Sequence, residues 1–212
     1  MSESTKAVAR YAANALPVYR AYRGYRTAEH LRTDMQDPRK RTWAFGRRVF
    51  LDALTDKADG KLARYAGPTR IGGYLDQLAD KAWFLQITRQ LVKNDELDSS
   101  MYNVPALRDL AFLAIRPIAN HYGLDSDAKL SGKMKMAAQV GAVVAACSPL
   151  AAAYPEFTQD LFAIAAGASV TSGLDMLNGY SREIVSQYRT EPVAQLIVAT
   201  TAYIAPLLAE TS

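Results

Sequence analysis

Four carboxylates stand in one short stretch of this chain at spacings that suit a shared cation. Asp56 and Asp59 are three residues apart, and Asp76 and Asp80 are four apart. On helices, such spacings put each pair on one face. Gly60, Ala63, Arg64 and Gly72 complete the pattern D-x-x-D-G-x-x-A-R, seven residues, then G-x-x-x-D-x-x-x-D. Two helices folded back at a Gly67-Pro68 turn would aim all four carboxylates at one spot. Like charges cannot share a site without cations to neutralise them, and hard oxygen ligands suit Mg²⁺ or Mn²⁺. Gly60 and Ala63 sit beside Asp59, where larger side chains would keep a ligand from the helix backbone. Arg64 can pair with a phosphate. An acidic surface with local Lys57 and Lys61 ion pairs is the plainer reading. It leaves Gly60, Ala63, Arg64 and Gly72 without a reason. A prenyl-diphosphate site fits poorly, because the chain has no adjacent aspartate pair.

The pattern resembles the signature of the CDP-alcohol phosphotransferases, integral-membrane enzymes that make phospholipids from CDP-linked precursors. Every fixed position of the signature is present. Asn14-Ala15-Leu16-Pro17-Val18-Tyr19-Arg20 is similar to the N-x-L-T-x-x-R opening of the bacterial phosphatidylglycerophosphate synthase branch, with Pro17 for the threonine. Asp80-Lys81 resembles the end of its D-P-L-A-D-K, with Gln77 for the proline. Gly132-Lys133-Met134-Lys135 resembles its G-K-x-K-T, and Ser172-Gly173-Leu174-Asp175 its S-G-x-D-Y. The matches keep their order over residues 10–180. CMP-forming cardiolipin synthases share several of them.

The resemblance implies Asp56, Asp59, Asp76 and Asp80 as a site for two Mg²⁺ or Mn²⁺ ions, with Asp80 also the general base. It implies that Asp56, Asp59, Gly60, Ala63, Arg64, Gly72 and Asp76 contact the cytidine diphosphate. Arg116, Lys133, Lys135 and Lys81 would bind the acceptor phosphate. Pro117 follows Arg116 where the branch usually carries an acid. The implied reaction moves a phosphatidyl group from CDP-diacylglycerol to sn-glycerol 3-phosphate and releases CMP. Phosphatidylglycerol or an inositol phosphate is the alternative acceptor within the family. A soluble, non-catalytic protein that keeps the fold is the alternative outside it. The family also implies a homodimer and a multi-pass inner-membrane protein whose site faces the cytoplasm.

The elements that must position these residues read as helices throughout. No sustained two-residue alternation argues for strands. Apolar spacing and turn residues predict helices at about 6–34, broken, and at 41–65, 72–94, 103–121, 129–154, 158–187 and 191–209. The fold class is therefore an all-α bundle of about six core helices. With 212 residues, one cysteine and no Gly/Ser/Pro-rich linker, the chain fits one domain over 1–212. Cys147 lies in an apolar run and reads as a packed residue. Residues 1–20 carry Lys6, Arg10 and Arg20 without a clean apolar region, so no cleavable signal peptide is expected. His30 and His121 lack ligand spacing.

Charge and hydropathy pull against the membrane expectation. The net charge is +4 and the mean hydropathy is −0.11. No nucleic-acid recognition motif accompanies the basic residues. Met136–Tyr154 and Pro192–Ala209 carry no charge and are long enough to span a bilayer. Leu161–Leu174 is uncharged but short. The first helix carries Arg20, Arg23, Arg26, Glu29 and Arg32; the next carries Arg41, Arg47, Arg48 and Asp52. A charge at the centre of a span costs roughly 2.5–3.5 kcal/mol. Either these charges line a wet cavity and the cytoplasmic ends, or the outer surface has become polar and the protein is soluble or peripheral.

Overall fold

The computed structural model describes the backbone of residues 3–66, 70–121 and 130–187. Side chains are described from residue 15 onward, except at 55–74, 77, 116–118, 120–129 and beyond 185. The chain folds as α1 (Glu3–Arg32), a 3-10 turn (Pro38–Lys40), α2 (Trp43–Ala66), α3 (Arg70–Lys93), α4 (Ser100–His121), α5 (Leu130–Ala146), the short α6 (Leu150–Ala153) and α7 (Pro155–Gln187). The described elements are all helices, as the sequence pattern requires. The expected helix at 191–209 and the Gly67-Pro68 turn lie outside the described residues.

Two helices differ from expectation. α1 runs unbroken through Pro17, which is fully buried. The ring removes one backbone hydrogen bond, but packing on both sides of α1 holds the helix through it. The expected helix 129–154 divides instead, because α5 ends at Ala146 and Pro149 opens α6. Pro149 disfavours helical backbone at Ser148, whose hydroxyl donates to the Ala145 carbonyl at 2.8 Å and closes the turn. The short uncharged stretch Leu161–Leu174 becomes the middle of α7, a helix of 33 residues.

The helices form two layers. α1 and α3 run parallel, with α2 antiparallel on the other side of α1. Arg20 reaches Asp76 and Asp80, and the Asn94 side chain donates to the Leu31 carbonyl about three to four turns further on. α4 and α7 also run parallel, with α5 antiparallel on the other side of α7. Arg108 donates to Ser172, Lys135 to Asp109, and the Gln139 amide to Ser169. This order places the C-terminal half of α2, the starts of α3 and α5 and the end of α4 at one end of the bundle.

The main apolar core sits toward the other end. It joins Leu31, Phe45, Trp83, Phe84, Ile87, Leu91, Val143, Ala146 and Phe162. A smaller cluster of Phe112, Ala119 and Tyr180 ties α4 to α7. The far end is also pinned by Arg41, whose side chain is fully buried. Arg41 donates to the Met35 carbonyl, to both carboxylate oxygens of Glu96 at 2.6 Å, and to the Ala146 carbonyl at 2.8 Å.

Part of the charge on the early helices is thereby accounted for. Arg20 and Arg41 point inward, and Arg23 makes a two-point pair with the buried Asp52 at 2.9 and 3.0 Å. Arg26, Arg47 and Arg48 remain exposed. Among the described residues one helix, Pro155–Val185, is long and apolar enough to cross a membrane. Ile164, Val170, Leu174 and Leu177 are exposed along it, and Thr158, Ser169 and Thr171 return their hydroxyl protons to carbonyls one turn back.

Candidate functional site

The start of α3 carries Asp76 and Asp80 one turn apart, so their carboxylates share a face. Both are part-exposed, at 39% and 24% of the side chain. They converge on a single nitrogen. Nη1 of Arg20 donates to Oδ1 of Asp76 at 3.1 Å and to Oδ1 of Asp80. Arg20 comes from the middle of α1 and is only 1% exposed. It has no place among the sequence-derived site residues, although it closes the opening motif that begins at Asn14.

A glycine makes this approach possible. A Cβ on Gly24 would stand 2.7 Å from the Cα of Trp83 and 3.2 Å from its carbonyl oxygen. Backbone atoms cannot yield cheaply, so only glycine lets α1 lie this close to α3. Gly24 is one turn after Arg20, and Trp83 is three residues after Asp80. The contact sets the register that brings guanidinium and carboxylates together.

A second polar cluster lies across from the first, on α4, α5 and α7. Asp109 is 2% exposed and accepts from Nζ of Lys135 at 2.9 Å and from Nη1 of Arg108 at 2.7 Å. Arg108 also donates to the Ser172 hydroxyl at 2.8 Å and stacks over the Phe112 ring, 4.7 Å from its centroid. Two cations share one buried anion, so the cluster carries an excess positive charge. Among the described residues, Nε of Arg108 is buried without a partner. Among the described residues, a Cβ on Gly132 would meet only Ser172, at 3.8 Å, whereas one on Gly173 would meet Arg108 and the Phe112 ring at 3.4 and 3.5 Å, so Gly173 lets Arg108 pack against α7. Asp80 contributes to the electrostatic field at Lys135, which couples the two clusters. Among the described residues, two cations face one buried anion, a local charge balance that suits an anion.

Of the residues singled out from sequence, Asp76, Asp80 and Lys135 therefore converge on this end of the bundle. Lys135 meets its counter-ion in Asp109 and not in solvent. Lys133 is exposed and Lys81 is half-buried beside Asp80. Asp56, Asp59, Gly60, Ala63 and Arg64 lie on the C-terminal half of α2, Gly72 at the start of α3 and Arg116 on α4. Their side chains lie outside the described residues. Sequence reasoning missed Arg108 and Asp109. Their signal was an adjacent acid and base within an apolar helix, with Arg108 eight residues before Arg116 and so on the same face.

The family model for CDP-alcohol phosphatidyltransferases matches residues 12–172. That stretch holds both clusters and runs from the opening motif to Ser172. The chain belongs to the CDP-alcohol phosphatidyltransferase family. No individual curated protein matched the sequence. Family membership gives the reaction class, transfer of a phosphatidyl group with a CDP-alcohol as partner, and fits the all-helical bundle. The family is typically dependent on divalent metal. The donor set fits such an ion: two carboxylate oxygens, one helical turn apart, already converge on a cationic nitrogen.

Proposed function

We propose that this CDP-alcohol phosphatidyltransferase moves the phosphatidyl group of CDP-diacylglycerol to the hydroxyl of sn-glycerol 3-phosphate, as phosphatidylglycerophosphate synthases do. The observation that carries the reading is the pairing of two clusters at one end of the bundle. One offers carboxylates, and the other offers a buried excess of positive charge.

In this reading Asp56, Asp59, Asp76 and Asp80 hold Mg²⁺ or Mn²⁺. When bound, the metal neutralises charge on the diphosphate oxygens. Asp56, Asp59, Gly60, Ala63, Arg64, Gly72 and Asp76 receive the cytidine diphosphate. Arg116, Lys133, Lys135 and Lys81 take the acceptor phosphate, joined by Arg108. That placement leaves the acceptor hydroxyl facing Asp80. Asp80 removes the hydroxyl proton as the oxygen attacks the β-phosphorus. The bond from that phosphorus to CMP breaks, and CMP departs with the electron pair. One chain of 1–212 supplies these residues, and two such chains form a homodimer. The apolar outer surface of α7 faces lipid, with the carboxylate end of the bundle toward the cytoplasm.

The test is CMP release from CDP-diacylglycerol by purified protein with Mg²⁺ and a panel of acceptors. Release that requires glycerol 3-phosphate is the expected result. Release with phosphatidylglycerol or an inositol phosphate alone would reassign the acceptor within the family. Asp80→Asn should abolish release while divalent-ion binding is largely kept. Full turnover in that variant would remove Asp80 from its role as base.

A further inference from the structure

We propose that Arg20 is a built-in counter-cation of the metal site. It holds Asp76 and Asp80 together before a divalent ion arrives, and it competes with that ion for the same two carboxylates. The inference rests on the metal reading above and extends it to a residue outside the carboxylate signature.

The geometry carries the argument. One guanidinium nitrogen meets an oxygen of each carboxylate, the two groups that would also hold the cation. The Arg20 side chain is buried at 1% exposure, while the two carboxylates are part-open to solvent. The cation is therefore fixed and the anions face the entry side. The Gly24–Trp83 contact, one turn further along α1, leaves the arginine little freedom to withdraw as a body with its helix. A fixed positive charge beside a cation site repels the incoming ion. In a part-buried setting that repulsion is far larger than in water. Without Arg20 the carboxylates would repel one another when metal-free, and would bind a divalent ion more tightly.

A purely structural tie between α1 and α3 predicts the opposite. Its loss would loosen the pair of carboxylates and weaken metal binding. The sign of the change therefore separates the two roles.

The experiment is Mn²⁺ titration of the purified full chain, with free Mn²⁺ read by electron paramagnetic resonance. Wild type, Arg20→Met and Arg20→Lys are compared. Arg20→Met should bind Mn²⁺ at least about tenfold more tightly than wild type. Arg20→Lys keeps the charge and should stay within about threefold of wild type. An unchanged or weaker affinity in Arg20→Met overturns the proposal. If Arg20→Met does not fold when metal-free, millimolar Mg²⁺ should restore its folding, because the ion replaces the missing cation. Failure of Mg²⁺ to do so also overturns it. Wild-type protein that releases CMP, with no rise in affinity in Arg20→Met, removes this inference and leaves the proposed reaction standing. Wild-type protein that neither binds Mn²⁺ nor releases CMP removes both.

Discussion

Replacing Asp109 by asparagine should destabilise this protein by an amount that the structure lets one work out. The carboxylate is 2.9 Å from Lys135 Nζ and 2.7 Å from Arg108 Nη1, with 2% of it exposed. At an effective dielectric of about 20, a unit charge pair at such distances attracts by about 6 kcal/mol. Most of that is offset by the cost of taking the charges out of water. What the substitution exposes is the residue of the balance: two buried cations with no anion between them. Breaking buried pairs of this kind costs about 3–5 kcal/mol. For a chain of this size about 2–4 °C accompanies each kcal/mol, so unfolding should fall by roughly 6–20 °C. Trp83 is 1% exposed and gives a fluorescence readout from within the core. Asp109→Asn combined with Lys135→Met should recover part of the loss, because Arg108 keeps Ser172 as a partner. A fall of less than about 2 °C, or a double variant no more stable than the single one, would refute the charge balance assigned to this cluster.

Other outcomes follow from named contacts. Gly24→Ala should cost about 1–3 kcal/mol through overpacking, and should lower CMP release more than its stability loss explains, since it pushes Arg20 out of register with Asp80; thermal unfolding and turnover of the same sample check both. Glu96→Gln leaves the Arg41 charge uncompensated at the far end, so unfolding should shift down by several degrees with kcat unchanged at permissive temperature. Arg108→Lys keeps the charge but loses the two-direction hold on Asp109 and Ser172, so KM for the acceptor should rise roughly tenfold or more with KM for CDP-diacylglycerol unaltered. Cell fractionation without detergent should leave the protein with the membrane; recovery in the soluble phase would sink the lipid-facing role given to α7.

Local pattern made much of this legible. The starts and ends of α2, α3 and α4 fall within a few residues of the turn signals, because caps, glycines and prolines act on their immediate neighbours. The i, i+4 spacing of Asp76 and Asp80 gave their common face for the same reason. The partners that give those residues meaning were not legible. Arg20 lies 56 residues from Asp76, and Asp109 lies 26 from Lys135. Spacing within a helix states which residues share a face; it does not state which face of another helix will meet it. Pro17 shows the limit from the other side: the local rule argues for a break, and burial between helices overrides it. The early arginines show the same limit: read singly they oppose a membrane, whereas Arg20, Arg23 and Arg41 each pair with a carboxylate of another element.

The buried Arg41 has a mechanical meaning. It stitches the loop after α1, the loop after α3 and the last turn of α5 into one knot, and the Gln159 amide adds a tie from α7 to the Glu96 carbonyl. These ties between the two layers lie at the far end, where the larger apolar core also lies. Among the described residues, the opposite end joins the layers by facing charges. The described ties thus sit like the spring of a clothes-peg, at the end away from the carboxylates, so substitutions among Asp76, Asp80, Asp109 and Lys135 leave the clamp untouched.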